Sequence, residues 1–351
     1  MKTFDFAQPA SIAEAIAAAS EPAAAYLAGG TNLLDLMKGG IACPDRLVDI
    51  SRIPGLDRIE RLADGGFRIG ALVRNADLAH ERDFAGAFPA VAEALLAGAS
   101  PQLRNAATVG GNLLQRTRCA YFFDPASACN KREPGAGCAA LGGENRLHAV
   151  LGWSENCIAT HPSDFCVPLV ALDAVVEVEG RSGRREIALE HLHRLPGDAP
   201  DRETELEPGD LVVAIRLPGG AAFSRHSRYL KLRERTSYAF AVVSSAIALD
   251  IDGGRIRRAR IALGGVAPRP WRARQAEAAL VNAVPGDEAF QQAAEIALAD
   301  ARPSGDNAFK IELAKRIVAR ALALAAAGTP ARLPALPASP FSTNPGAHHA
   351  A

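Results

Sequence analysis

The chain opens with short apolar runs alternating with alanine-rich amphipathic stretches. Ser11 to Ala19 reads as a helix, with Ser11 as N-cap and Glu14 completing a capping box. Ala24 to Ala28 is an apolar run that ends in Gly29-Gly30, the pattern of a buried strand entering a glycine turn. Arg46 to Ile50 is another short strand, and this alternation makes residues 1–53 a first unit. In residues 54–222 the pattern predicts a strand over Gly66–Ala71, helices over Asn75–Leu78 and Phe88–Gly98, and a polar, glycine-bearing loop over Pro101–Asn112. Further strands are expected at Val175–Glu179 and Leu211–Ile215, beyond a stretch with little periodicity. A third unit, 223–328, carries an apolar strand over Ala241–Ile251 and a hairpin partner over Arg258–Leu263, joined at Asp252-Gly253-Gly254. Two helical patterns come next, Trp271–Leu280 and Asp306–Ala325, the second with Ile311, Ala314 and Val318 three or four positions apart. Residues 329–351, rich in Pro and Ala, read as a loosely ordered tail.

Composition narrows what such a chain does. With 351 residues and 48% hydrophobic positions, two or three cores are expected. Lys+Arg and Asp+Glu balance at 39 each, so no global field attracts nucleic acid or an anionic membrane. Arg225–Arg235 is basic but interrupted by Glu234 and sparse in aromatic residues, and reads as a solvated or partner-facing surface. No apolar run reaches membrane-spanning length, and Met1–Pro9 lacks the basic-then-apolar order of a secretory signal. No Ser/His/Asp triad or paired-carboxylate site stands out.

Two loops repeat one chemistry. Ala28-Gly29-Gly30-Thr31-Asn32-Leu33 and Thr108-Val109-Gly110-Gly111-Asn112-Leu113 each set a glycine pair beside Thr and Asn donors. Glycine lets backbone N–H groups approach a diphosphate closely. Either loop alone matches an ordinary turn, and neither has Rossmann or P-loop spacing. Together they suit a clamp on one extended ligand. Downstream stand Thr160-His161-Pro162-Ser163-Asp164, Tyr229-Leu230-Lys231, and Gly264-Gly265-Val266-Ala267-Pro268 with Arg272-Ala273. In order and spacing, from Phe4 to Leu322, these segments resemble the flavoprotein subunits of the xanthine dehydrogenase and carbon monoxide dehydrogenase family. The resemblance implies an α+β fold: a vanillyl-alcohol-oxidase (PCMH)-type FAD-binding fold of two α/β subdomains, plus a C-terminal α+β domain. It also implies site roles. Tyr26, Leu27, Ala28, Gly29, Gly30, Thr31, Asn32, Leu33 and Leu34 would hold the FAD diphosphate. Thr108, Gly110, Gly111 and Asn112 would lie near diphosphate and flavin. Asp164 would meet ribityl or ribose hydroxyls, Lys231 the flavin or its chain, and Val212 would pack nearby.

Five of the six cysteines, Cys119, Cys129, Cys138, Cys157 and Cys166, fall in one stretch. Clustered cysteines in a long chain without a visible signal favour metal or redox chemistry over a disulfide framework. Their wide gaps leave free thiols, zinc and an iron–sulfur cluster all open. Cys166, in an apolar run, reads as a small buried residue. His148 and His161 read as structural rather than ligating. The segments around Cys119, Cys129, Cys138 and Cys157 are similar to those of the flavin subunits of bacterial periplasmic aldehyde oxidoreductases. That resemblance implies a [4Fe-4S] cluster on these four cysteines, in an insert spanning 115–158 and shielded by Tyr121, Phe122 and Phe123.

The resemblance further implies a role as an electron-transfer subunit, with no catalytic residue of its own. A large subunit would hold the molybdenum cofactor and oxidise an aldehyde or heterocycle. A small subunit would carry two [2Fe-2S] clusters, and FAD here would deliver electrons to an external acceptor. A stand-alone FAD oxidase and a zinc-stabilised scaffold are the alternatives. Compartment is expected to be periplasmic by co-export with a signal-bearing partner, and otherwise cytoplasmic.

Overall fold

A computed structural model of the chain describes residues 2–331. In the first unit, β1 (Asp5–Ala7), α1 (Ile12–Ala19), β2 (Ala24–Leu27), α2 (Leu33–Lys38) and β3 (Arg46–Asp49) form a parallel sheet of order β1-β3-β2 with its helices. The Ser11 hydroxyl accepts from Glu14 N–H, as the capping pattern predicts. The reciprocal bond falls one residue early, with Glu14 accepting from Ala10 N–H at 2.9 Å. β2 is half-buried rather than buried, because it lies at the sheet edge while β3 takes the centre.

The second unit starts with β4 (Ile59–Arg61), β5 (Phe67–Gly70), α3 (Asn75–His80), α4 (Arg82–Ala87) and α5 (Pro89–Ala97). The expected loop at 101–112 is instead two short helices, α6 (Pro101–Ala106) and α7 (Val109–Leu113). Ser100 and Thr108 supply the hydroxyl caps, accepting from Leu103 and Gly111 N–H groups, and Pro101 sits at the tolerated first helical position. Then come α8 (Ala120–Phe123), α9 (Cys166–Ala171), β6 (Val175–Gly180), β7 (Gly183–Ala188), α10 (Leu189–Leu192) and β8 (Leu211–Leu217). The sheet order is β4-β5-β8-β6-β7, with antiparallel pairing throughout. Its central strand β8 serves two cores, changing faces at the register shift opposite Glu177 and Val178. Leu211 and Val213 face the first unit, while Val212 and Ile215 face the large core built around Phe67, Phe84, Phe88 and Phe165.

The third unit is a sheet of order β12-β11-β10-β9 covered by helices. Its elements are β9 (Ser227–Leu232), β10 (Val243–Asp252), β11 (Arg255–Gly264), β12 (Trp271–Arg272), α11 (Arg274–Ala279), α12 (Asp287–Ala297) and α13 (Phe309–Ala326). The β10–β11 hairpin turns at Gly253 and Gly254, both at positive φ, as the Asp-Gly-Gly signal predicts. Three expectations change here. Trp271–Arg272 is an edge strand and the helix begins only at Arg274. α12, not anticipated, packs Phe290, Ala293 and Ala297 into the core. Arg225–Arg235 is solvated only at its ends, where Arg225, Glu234 and Arg235 are exposed: its middle is β9, whose Ser227 and Tyr229 are buried and whose Arg228 pairs with buried Glu93 of α5 at 3.0 Å. Within β9, Arg228 and Lys231 meet buried carboxylates, Glu93 on α5 and Asp164 just ahead of α9, rather than water. Of the expected tail, Thr329 bonds to Arg225 O and to Ser227 N–H, and residues 332–351 lie outside the described region. Among the described residues no helix is long and apolar enough to cross a membrane.

Candidate functional site

The two glycine loops meet back to back. A Cβ on Gly29 would collide with the Ala106 carbonyl, so only glycine permits this approach of the turn after β2 to the α6–α7 connection. Gly30 comes next at φ +71°. Gly110 presses on Ala71 in the same way, its Cβ position 2.8 Å from the Ala71 methyl. Side chains then tie the loops to chain segments further downstream. Asn32 Oδ1 accepts from Arg116 N–H at 3.1 Å. Asn112 Oδ1 accepts from Gln115 at 2.6 Å and from the Ser163 hydroxyl at 2.8 Å. The Thr117 hydroxyl donates to Thr160 O.

A cleft of about 720 Å³ opens over this junction, within the range of nucleotide and cofactor sites. Thr31, Asn32, Gly111, Asn112, Asp164 and Lys231 line it. So do Asn75, Arg118 and His148, and Tyr238 and Phe240 from the segment after β9. Four of these residues carry a buried polar atom without a partner: Asn32 Nδ2, Asn75 Oδ1, Arg118 Nε and His148 Nδ1. Buried polar groups are ordinarily paired, so four orphans in one cleft fit a polar ligand that supplies the missing partners. Asp164 and Lys231 lie together: Lys231 Nζ donates to Asp164 Oδ2 at 2.7 Å and to Ala97 O at 3.1 Å. The Tyr229 hydroxyl donates to Asp164 Oδ1 at 2.6 Å. Burial, reinforced by this carboxylate, raises the Tyr229 pKa well above its ordinary value, keeping the phenol a proton donor. The pair is a prepared dipole at the cleft wall, its geometry set by β9 crossing α5.

The remaining anticipated residues stand behind this wall. Tyr26 packs toward the first core and donates to Gly209 O. Thr108 caps α7. Leu27, Ala28, Gly29, Gly30, Leu33, Leu34 and Gly110 shape the turns without lining the cleft. Val212, expected to pack near the flavin, is buried in the large core behind the cleft wall. Asn75, Arg118 and His148 were not anticipated as cleft residues, because nothing local distinguishes them from other polar positions.

Beside the cleft, and sharing Thr117 and Cys119 with it, lies an enclosed gap lined by Cys119, Cys129, Cys138 and Cys157. The insert folds around it with little regular structure. Cys129 pairs with Cys138, and Ser154 with Cys157, as isolated antiparallel bridges. Arg132 donates to the Tyr121 and Phe122 carbonyls at 2.9 Å each, and Asn130 spans Asn156 and Gly137. Phe122 is fully buried and Phe123 packs against it edge-on, whereas Tyr121 uses its hydroxyl to accept from Glu144 N–H. Burial pushes the Cys119 thiol up to about 11, and its neighbours Cys157 and Cys129 add to the rise. Burial raises Cys157 as well, opposed by Lys131. Among the described residues no three of these sulfurs lie within 4.8 Å of one another. Tetrahedral zinc, with Zn–S of about 2.3 Å, would hold its sulfurs roughly 3.8 Å apart. The donor set is four soft thiols at a wider spacing, which suits a cluster better than a single ion.

Cys166 is completely buried in the large core, its thiol pushed up to about 12 by burial, and stands apart from that gap. It meets His161 and His193, whose rings lie edge-to-face at 4.3 Å. Burial lowers both imidazole pKa values, so both rings are neutral.

Comparison with known proteins matches this arrangement. The model of the FAD binding domain in molybdopterin dehydrogenase covers residues 2–220, and that of the CO dehydrogenase flavoprotein C-terminal domain covers 228–325. The aldehyde oxidoreductase FAD-binding subunit PaoB of Escherichia coli is 49% identical over 93% of this chain and 99% of its own length. The carbon monoxide dehydrogenase medium chain of Hydrogenophaga pseudoflava is 29% identical over 91% of this chain and 96% of its own. A solved carbon monoxide dehydrogenase from that organism superposes with a TM-score of 0.73 at 31% identity, covering 92% of this chain and 97% of that one. The chain is therefore a member of the FAD-binding subunit family of the molybdenum hydroxylases, with the two-part α+β fold of the CO dehydrogenase medium chain.

Proposed function

We propose that this chain is a two-centre electron relay, holding FAD in the cleft and a [4Fe-4S] cluster on Cys119, Cys129, Cys138 and Cys157. Its partners in this reading are a molybdenum-cofactor large subunit that oxidises an aldehyde and a small subunit with two [2Fe-2S] clusters. The observation that carries the reading is the shared wall: Thr117 and Cys119 line both the cleft and the thiol gap, so two redox groups would lie side by side. FAD, when bound, supplies the exchange between two-electron and one-electron chemistry. The chain's own residues bind and orient. Thr31, Asn32, Gly111 and Asn112 line the cleft, so a diphosphate would lie against these two turns. The Asp164 carboxylate, steadied by Tyr229 and Lys231, suits sugar or ribityl hydroxyls. Lys231 adds positive charge where a reduced flavin gains negative charge. The thiol spacing weighs against the zinc scaffold, and the absence of an acid–base pair from the sequence weighs against a stand-alone oxidase. Export with a signal-bearing partner is the compartment this reading implies, and fractionation of the assembled complex tests it.

The test is co-purification with the neighbouring subunits, then anaerobic addition of an aromatic or aliphatic aldehyde. Bleaching of both flavin and iron–sulfur absorption supports the relay. A complex in which the molybdenum subunit turns over with artificial dyes while this chain's centres stay oxidised contradicts it.

A further inference from the structure

We propose that His148 is a positioning residue joining the two centres, its Nε2–H donating to the Cys119 sulfur and thereby raising the reduction potential of the cluster. The inference rests on the cluster reading above and adds a residue that reading does not use. His148 Nε2 lies 3.2 Å from Cys119 Sγ, a contact that fits N–H donation to a thiolate. The ring is only 8% exposed and lines the flavin cleft, while Cys119 lines both cleft and thiol gap. With Nε2 engaged as a donor, a neutral ring leaves Nδ1 as an acceptor, and Nδ1 is buried without a protein partner.

The ring's backbone is held unusually firmly, from a different domain. Lys310 and Asn307, both fully buried on or just before α13, donate to His148 O at 2.8 and 3.1 Å. Lys310 also donates to Leu147 O and Gly265 O. The C-terminal domain thus fixes the imidazole against the insert, although its helix lies about 160 residues away in sequence and touches no candidate ligand. A hydrogen bond to a ligating sulfur spreads the negative charge that the cluster gains on reduction, so the reduced state is favoured and the potential rises.

The test uses the full chain, or its complex, with spectroelectrochemical titration of both centres. His148→Leu, saturated with added FAD, is expected to keep wild-type iron content, lower the cluster potential, and slow equilibration between flavin and cluster. His148→Gln, which retains an N–H at similar reach, is expected to recover part of both. A second readout needs no variant: wild-type protein carrying ¹⁵N-labelled histidine should show a nitrogen hyperfine coupling to the reduced cluster. An unchanged potential in an iron-replete His148→Leu protein overturns the proposal, as does absence of the histidine coupling in the wild type. Wild-type protein without iron would overturn the cluster reading itself, a different and separately visible result.

Discussion

The flavin cleft and the cysteine insert share a wall, yet they are held by opposite means. Most of the cleft is built on regular elements backed by large apolar cores, which carry the orphan polar atoms of Asn32 and Asn75, while those of Arg118 and His148 come from the insert. The insert, 115–158, has one four-residue helix and a small apolar cluster around Leu36, Phe122 and Cys129. Its order comes from side chains bonding backbone carbonyls, from Arg132, Asn130 and Asn145, and from whatever the four thiols bind. Apart from Val150 and Leu151, which join the C-terminal core, the segment has little shared apolar core to offset its ordering entropy. In the proposed reading FAD would be a guest in a largely preformed site, whereas a cluster on the four thiols would be part of the fold that holds it.

That contrast can be broken at four places. The largest effect is expected from Cys129→Ser. Iron should fall to background and hydrogen exchange should rise across 115–158, with FAD binding weakened because Arg118 and His148 of the insert line the cleft; retained protection in the iron-free protein would show that the insert folds unaided. Lys231→Met comes next. It strips the cation from Asp164, whose partner is 4% exposed, and breaking a buried pair costs about 3–5 kcal/mol. Denaturant unfolding should report that loss, with part of it regained in Lys231→Met/Asp164→Asn. Gly29→Val forces a side chain into the Ala106 carbonyl. Overpacking of about 1–3 kcal/mol reads as FAD binding weakened by roughly tenfold to a hundredfold, with iron content untouched. The smallest change is Ser11→Ala, remote from both centres. It removes the cap of α1, costing about 1 kcal/mol, and should leave both cofactors at full occupancy.

The same contrast governs how much of the molecule is legible in its sequence. Local signals come through well: the Ser11 cap, the Gly253-Gly254 hairpin and the apolar strands of both large sheets each depend on neighbours a few residues away. The paired glycine loops are legible as chemistry, but their contact depends on Gly29 meeting Ala106 across 77 positions, and only the resemblance to a family joins them. Asp164 and Lys231 stand out as candidate site residues through the family resemblance, not as each other's partners. β9 looks like a charged surface because Glu93 and Asp164, which receive its Arg228 and Lys231, come from distant elements. His148, Asn75 and Arg118 give no signal, since a polar residue becomes functional only through what packs around it. The core position of Val212 is not legible because its strand is buried on both faces, and alternation alone does not say which face meets a ligand.

The central claim is that one chain holds two different redox groups across a shared wall. Quantifying FAD, iron, acid-labile sulfide and zinc in the purified chain, alongside its visible spectrum, tests this most directly. The account predicts flavin bands over a broad iron–sulfur shoulder, with iron and sulfide in equal amounts and zinc at background. A yellow protein with flavin but no iron, or one with zinc in place of iron, would contradict it.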